Sequence, residues 1–420
     1  MLDKPELFDT RKGFILTVLV LLLLILIRLF FEYQSYKEFV SKPFYFTSAT
    51  VLHAYEKSKN KKRYTVLKLR SDEGLTFYTT SYKKEDFAHK KLRIQIFPNV
   101  SIPFHKYLGT FYVKSRIKDS VNIEPTFKDT LLQKVASQHE RTSMQSFYNA
   151  IFFATPIEKS LREKISLLGV SHLVALSGFH LGILWGLVYG LLILIYRPLQ
   201  QRSFPYRHAL LDVGLLTVLI LGLYLWFVDF PPSLVRSYAM LLVGWVVILL
   251  GIELLSFTFL TTVVLTLIVL FPSLLVSLSF WLSVSGVFYI FLLLQYTKSY
   301  DKWMITLLFI PVGIFMLMLP IVHHIFGMTS SYQLLSPLLS LLFIPFYPLV
   351  MLLHLLGLGG VLDGILLGLF SLPKESVENL LPLWIALAYV GLSIGAIWSR
   401  KLFYGVLGVA LGYGMYLFIT

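Results

Sequence analysis

The densest group of chemistry-bearing residues lies in one short stretch, His172-Leu-Val-Ala-Leu-Ser177-Gly178-Phe-His180. Ser177 and His180 are three residues apart, so they share a face on any helix. A hydroxyl beside an imidazole fits three roles. It can form a polar patch near the outer mouth of a pore. It can supply half of a nucleophile–base pair, as in intramembrane serine proteases, where serine and histidine come from separate helices. It can also be structural, with Ser177 bonded to a backbone carbonyl and both histidines anchoring a helix end. Gly178, Gly182, Gly186 and Gly190 recur every four residues, a smooth strip that lets another helix approach closely.

Other polar residues are scattered through apolar sequence, where ionisable groups face a cavity or a partner. Arg236 follows Pro231-Pro232, which points to a broken or re-entrant helix near the outer surface. A buried guanidinium there pairs with phosphates; the alternative is an arginine snorkelling to the interface beside Asp229. Serines 273, 277, 279, 283 and 285, with Gly286, make one helix polar enough to line a water path. His323-His324 reads as an exposed loop pair with too few neighbouring ligands for a metal. Asp212, Glu253 and Asp363 read as solvated carboxylates near span ends, and His354 as a satisfied interhelical donor. There is no cysteine, which excludes disulfides, thiolate chemistry and cysteine–zinc sites. No G-x-x-x-x-G-K-[ST] loop occurs, so no nucleotide, metal or other cofactor is expected.

The elements that must hold these residues are membrane helices. Of 420 residues, 56% are hydrophobic and only 14% charged, too few charges for a soluble protein of this length. Apolar runs of membrane-spanning length recur from Phe14 onward. Residues 1–12 form a short tail and 13–32 an uncleaved anchor, with no small-residue cleavage site after it. Further spans fall near 173–196, 209–228, 234–252, 256–271, 274–296, 304–321, 332–356, 382–398 and 402–419, with a short one at 361–371. The expected class is a polytopic α-helical membrane protein of about nine or ten spans. Basic clusters at Arg197, Arg202 and Arg207, at Lys298 and Lys302, and at Arg400-Lys401 place those loops and the N-terminus in the cytoplasm. The scheme closes only if 361–371 crosses.

Between Tyr33 and Met144 there are 21 Lys and Arg against 10 Asp and Glu, a net +11 of the chain's +14. This segment lies outside the membrane and suits a polyanion. Within it, 44–118 reads as five short strands, an external all-β domain. The OB-fold is the expected small barrel, with a plain β-sandwich as the competing arrangement that periodicity does not separate from it. Lys57, Lys59, Lys61, Lys62, Arg63 and Lys68 crowd around its first turn. Tyr45, Tyr55, Tyr64, Phe77, Tyr78 and Tyr82 interleave with them. Cations hold phosphates and aromatic faces stack on bases without reading sequence; some of these rings must instead be core. Residues 119–172 read as a connector with interfacial amphipathic helices, and 173–420 as the transmembrane domain.

Four stretches, in order, resemble the ComEC competence-channel family. Ser171-His172-Leu-Val-Ala-Leu-Ser177-Gly178-Phe-His180 is similar to its G-x-S-H-L-L-A-I-S-G-L-H motif. Pro232-Ser-Leu-Val-Arg236-Ser-Tyr-Ala-Met240 is similar to its arginine segment. Phe280-Trp281-Leu282-Ser283 resembles F-Q-L-S, and Ser336-Pro337 through Pro345 resembles S-P-L-A-N-L-L-x-x-P. Trp281 replaces the usual glutamine and Ser340 the usual asparagine. The resemblance covers about 150–350. It implies transport of single-stranded DNA across the inner (cytoplasmic) membrane during natural transformation. It also implies a helicase-like motor in the cytoplasm; a DNA receptor outside, membrane lipid and further copies of the chain, as a homo-oligomer, are the other expected partners. Many family members end in a metallo-β-lactamase-like domain. No His-x-His-x-Asp-His occurs here, so the chain itself is expected not to be an enzyme. On this reading His172, Ser177, Gly178, His180, Gly182, Arg236 and Ser283 line the channel. An intramembrane protease and a small-molecule transporter are the rival classes.

Overall fold

The computed structural model describes all residues except 1–6, 9, 60–61, 84, 86, 88–89, 125, 250, 252–255, 374 and 420, and all described side chains except those of 59, 62 and 232. The chain forms two compact units. One holds Phe8–Thr130 with Thr261–Phe280, the other Leu131–Leu260 with Trp281–Thr420.

The first unit begins with α1 (Arg11–Ser41), whose N-terminal amide, that of Gly13, is capped by the Thr10 hydroxyl at 3.1 Å. Its leucine-rich run is almost wholly exposed, as a lipid-facing helix requires. At 31 residues it is about 46 Å long, longer than a bilayer's hydrocarbon is thick. Toward its C-terminus Phe39 enters the core of a β domain, and the Tyr36 hydroxyl donates to the carbonyl of Ile102 at 2.7 Å. The strands are β1 (Tyr45–Lys59), β2 (Lys62–Ser71), β3 (Thr76–Ser81), β4 (Lys90–Phe97), β5 (Phe111–Tyr112) and β6 (Lys114–Asn122), with a short α2 (Phe104–Tyr107) after β4. They form a sheet in the order β5-β3-β2-β1-β4-β6. β1 serves both halves: residues 45–50 pair with β4 and residues 49–59 with β2, the second ladder interrupted by a bulge at Leu52. β5 runs parallel to β3, and β6 resumes after Val113 to pair with β4. The two ends of the order are thus successive pieces of one segment, and the Thr79 and Ser115 hydroxyls lie 2.7 Å apart. Alternation puts Leu67, Leu69, Phe77, Leu92, Ile94 and Ile96 inside, each worth about 1.5–3 kcal/mol of burial.

The second unit is helical. α3 (Phe127–Ala136), which starts in the first unit, leads to α4 (Thr142–Phe153), α5 (Lys159–Leu167) and α6 (Ser171–Val174). Long helices follow: α7 (Gly178–Ser203), α8 (Ala209–Phe227), α9 (Pro232–Leu249), α10 (Phe257–Leu270), most of which belongs to the first unit, and α11 (Leu278–Thr297), which begins in the first unit. α12 (Lys302–Met304) runs through one π turn into α13 (Ile310–Ile325). Then come β7 (Met328–Thr329), α14 (Ser336–Leu355), α15 (Asp363–Ser371), β8 (Val377–Glu378), α16 (Leu383–Gly395) and α17 (Arg400–Ile419). Among the described residues, seven helices are long and apolar enough to cross a membrane: 11–41, 178–203, 209–227, 278–297, 302–325, 331–355 and 400–419. Four more apolar helices are shorter, at 233–249, 257–270, 359–371 and 383–395. The expected nine or ten spans therefore divide into seven full-length helices and a set of short ones.

The segment at 361–371 departs most. α15 has nine residues, about 14 Å, less than half of a bilayer's hydrocarbon. It does not cross as a helix alone. β8 pairs with β7 ahead of α14, through Met328–Glu378 and Thr329–Val377. The chain thus leaves the His354 end of α14 and returns toward the other end, partly as helix and partly as extended backbone, which membranes tolerate only where protein covers it.

The connector is the other departure. Met144, Phe147, Tyr148 and Ala150–Phe153 of α4 are all buried, in one cluster with side chains of α7, α8 and α14. The expectation of an interfacial helix gives way here to a helix in the core, because α4 has too few charged residues to hold a wet face. Residues 138–169 run antiparallel to α14. The Gln138 amide donates to the His354 carbonyl at 3.1 Å, the Tyr347 hydroxyl to that of Ile151 at 3.3 Å, and the Ser336 hydroxyl to that of Gly169 at 3.1 Å.

Candidate functional site

Two regions of the helical unit and one face of the β domain concentrate polar chemistry. The first is the turn into α7. Ser177 is its N-cap, accepting the Phe179 amide at 3.3 Å, and its hydroxyl lies 3.4 Å from Nδ1 of His180. His180 is fully buried against Phe343 and Tyr347 of α14, and its Nε2 has no hydrogen-bond partner among the described residues. His172 is exposed and sits 3.3 Å from the Ser340 hydroxyl. Ser340, standing where the family has asparagine, thus keeps a polar contact.

α9 closes on the same turn. The Ser233 hydroxyl donates to the Leu176 carbonyl at 2.7 Å, and a side chain at Gly178 would press on the Ser237 hydroxyl at 3.0 Å. These serines flank Arg236, which is buried at 7% exposure on the second turn of α9. The chain enters α9 through Asp229 (φ 64°) and Phe230 (φ 51°), consecutive left-handed residues that break it from α8 before Pro231-Pro232. The motif stretch and the arginine segment, more than 50 residues apart in the chain, are therefore neighbours.

The glycine strip behaves differently from expectation. A methyl at Gly182, Gly186 or Gly190 would meet no atom within 4 Å. Gly178, Gly182 and Gly186 instead line an open, mainly apolar groove of about 570 Å³ with Phe179, Ile344 and Pro348. Ser283 is exposed on α11, whose buried residues belong to a separate cluster with α13, α16 and α17. The structure does not gather it with Ser177. Ser273 and Ser279 are also exposed.

The second region lies at the other end of α14. His139 follows α3, and its Nδ1 is 2.9 and 3.0 Å from the two carboxylate oxygens of Asp363. Its Nε2 is 3.0 Å from Nε2 of His354, whose Nδ1 is 2.7 Å from the Val350 carbonyl. The His139 ring stacks on Tyr148 at 4.4 Å. The Gln138 side chain accepts the Gly359 amide at 2.8 Å. Gly359 and Gly360 let this backbone close: a Cβ at 360 would sit 2.8 Å from the Gln138 carbonyl oxygen. Asp363 is thus an anchored acid rather than a solvated one, and His354 is satisfied as expected. Sequence reasoning passed over His139. Its only signal was a histidine beside Glu140 in a connector otherwise dominated by lysine and arginine.

The remaining histidines are corrected as well. His323 is buried within α13, bonded to the Leu319 carbonyl and the Thr329 hydroxyl, and His324 lies 2.9 Å from the Leu381 carbonyl. They fix the β7–β8 region rather than sit on an exposed loop. Asp212 pairs with Arg207 at 2.7 Å; Glu253 lies outside the described residues. Among the described residues no three ligands converge on a metal position.

On the β domain, Lys57 and Arg63 are exposed on the β1–β2 hairpin, where Lys57 faces Tyr64 and Ser58 faces Arg63. Lys57 lies over the Tyr55 ring at 5.6 Å and Lys68 over Tyr78 at 6.0 Å. Tyr64 and the exposed Tyr82 are 6.0 Å apart. Lys61 lies outside the described residues, and so do the side chains of Lys59 and Lys62. Phe77 is core, not surface. A second basic strip went unread: Lys114, Arg116 and Lys118 of β6 are exposed, as are Lys91 and Arg93 of the adjoining β4, beside exposed Phe97 and Tyr112. The alternation Lys-Ser-Arg-Ile-Lys was its signal.

Neither the curated proteins nor the solved structures give a match to this chain. The family model described as "Competence protein" matches residues 154–417, from the end of α4 nearly to the end of α17. That range contains the α7 turn, the arginine segment and the His354–Asp363 end of α14. By this match the chain belongs to the competence protein family, the proteins of DNA uptake.

Proposed function

We propose that the chain passes single-stranded DNA across the inner (cytoplasmic) membrane during natural transformation. The observation that carries this reading is the pairing, in one chain, of a competence-family helical unit with a β domain bearing basic strips beside exposed aromatic rings. Cations placed along a sheet hold a phosphate backbone, and rings stack on unpaired bases. We read the β domain as an OB-type barrel of five strands, counting β5 and β6 as one strand interrupted at Val113, and as external. The positive-inside distribution of the loops supports that orientation. A receptor outside, a helicase-like motor inside and self-association complete the proposal, since the sequence carries no nucleotide-binding loop.

We also read the chain as no enzyme. The Ser177–His180 contact is the one observation that favours a hydrolase, and its geometry argues against that. Ser177 is engaged as a helix cap, the pair sits within a single turn, and no carboxylate orients the imidazole among the described residues. A deletion strain complemented with this chain should internalise labelled DNA to a nuclease-protected state, and the Ser177→Ala variant should do so too. A complemented strain that only binds DNA outside would refute transport. Cleavage of a membrane reporter peptide by the parent chain and not by Ser177→Ala would restore the hydrolase.

A further inference from the structure

The apolar stretch of α1 closes at Phe31, and Glu32-Tyr33-Gln34-Ser35-Tyr36-Lys37 follows. From Phe14 to Phe31 the helix rises about 27 Å, close to the thickness of a bilayer's hydrocarbon. Tyr33, Tyr36 and Lys37 lie less than about 10 Å further along the axis. That is the depth at which tyrosine rings and the ends of lysine side chains meet lipid headgroups.

The β domain meets α1 at this level. Phe104 of α2 packs edge-on against the Tyr33 ring at 5.3 Å and lies 5.5 Å from that of Tyr36, while Tyr107 is 5.4 Å from Tyr36. Lys37 Nζ sits over the Tyr33 ring at 4.9 Å. A second landmark in the same unit agrees. A Cβ at Gly109, just past α2, would meet a methyl carbon of Val276 at 3.3 Å. Val276 ends the 3-10 turn Pro272–Val276, which joins the apolar helices α10 and α11. α2 thus lies beside the end of one apolar stretch and beside the tight turn between two more. Its outward side chains suit a charged interface. His105 and Lys106 are exposed, as are Tyr33 and Lys37. The carboxylates flanking Lys37 are engaged elsewhere, Glu32 with Arg28 at 3.3 Å and Glu38 with Lys42 at 2.8 Å. Lys37 and Lys106 meet no carboxylate among the described residues. Val100, on the Asn99–Ile102 turn before α2, is 78% exposed, more than any other large apolar side chain described in the sheet and its turns.

We propose that α2, the turn before it and the Tyr33–Lys37 turn of α1 form a collar that docks the β domain on an anionic phospholipid surface. Lys37 and Lys106 hold headgroup phosphates as point charges, Tyr33 and Phe104 give the collar its interfacial aromatic body, and Val100 enters the interface. The collar lies apart from the basic strips on β1–β2 and β4–β6, and its role is separate from DNA passage. It fixes the tilt of the β domain against the membrane, so the strips keep one orientation toward an arriving strand.

The test uses the full chain with one cysteine, at His105 or, for comparison, at Lys57 on the β1–β2 hairpin, carrying a fluorescent thiol label. Each chain is reconstituted in vesicles of phosphatidylcholine and phosphatidylglycerol doped with headgroup-spin-labelled lipid, which quenches labels at headgroup depth. Quenching at 105 should exceed that at 57 several-fold. It should fall to the level at 57 when Lys37→Glu and Lys106→Glu are combined, and it should weaken in vesicles of phosphatidylcholine alone. Both lysines are exposed, so the charge-reversed chain should melt with the parent. Equal quenching at 105 and 57 would overturn docking. Quenching at 105 that is unchanged by the charge reversal, or by the loss of phosphatidylglycerol, would overturn recognition of anionic lipid. Single-stranded DNA added outside should leave the quenching in place; relief by DNA would make the collar part of the DNA surface and overturn the proposal.

Discussion

Gly360→Ala gives the sharpest test of the way the segment after α3 is seated. The Cβ it adds would lie 2.8 Å from the carbonyl oxygen of Gln138, a backbone atom that cannot swing aside. Either the turn at 138–139 or the 3-10 turn at Gly359–Leu362 must shift, and both carry the contacts that join His139 to His354 and Asp363. Overpacking of this kind costs about 1–3 kcal/mol. At about 2–4 °C per kcal/mol for a unit of this size, the melting temperature should fall by roughly 2–12 °C. Gly364 and Gly368, within the next eight residues, have no atom within 4 Å of an added Cβ. Alanine there should be neutral or stabilising by up to about 1 kcal/mol. The measurement is a thermal-shift series on the three purified variants in one detergent. If Gly360→Ala melts with the parent, or all three fall together, the tip of this segment is not seated against the glycine pair.

Arg236→Ala should reduce transformation severely at normal expression and Arg236→Lys less so, because lysine keeps the charge and loses the forked geometry; parental transformation by the alanine variant would make the arginine a structural anchor. The detergent-solubilised chain should bind single-stranded DNA with a log–log salt slope of about −0.7 per phosphate held. Lys57→Glu with Arg63→Glu, or glutamate at 114, 116 and 118, should flatten that slope, and an unchanged slope would clear that strip of any role. Cysteine at Lys57 in this cysteine-free chain should react with an impermeant thiol reagent added outside, whereas labelling only after lysis would invert the orientation.

Much of the architecture was legible because it rests on local periodicity. The first long helix, the other long apolar helices and the alternating strands of the β domain all repeat over a few residues, and lysine-rich turns mark the β1–β2 hairpin. The α7 motif and the arginine segment could be read individually, and their adjacency is what the fold supplies. What local reading missed depends on long-range contact. His139 meets His354 across 215 positions, and its one local signal, the neighbouring Glu140, is equally that of a solvated loop. α4 looked interfacial because its flanks are charged, yet its own twelve residues carry no charge and bury seven side chains. The glycine strip misled in the opposite sense. Small residues every four positions permit close helix packing without requiring it, and here they line a groove.

The most direct test of transport follows the strand itself. A single-stranded segment with photo-crosslinking bases along its length and a bulky block at its trailing end would stall during uptake in living cells. The account predicts crosslinks both to the β domain and to the helical unit between residues 154 and 417. Crosslinks confined to the β domain, with labelled DNA nevertheless reaching the cytoplasm, would show that the strand crosses by another route and would contradict it.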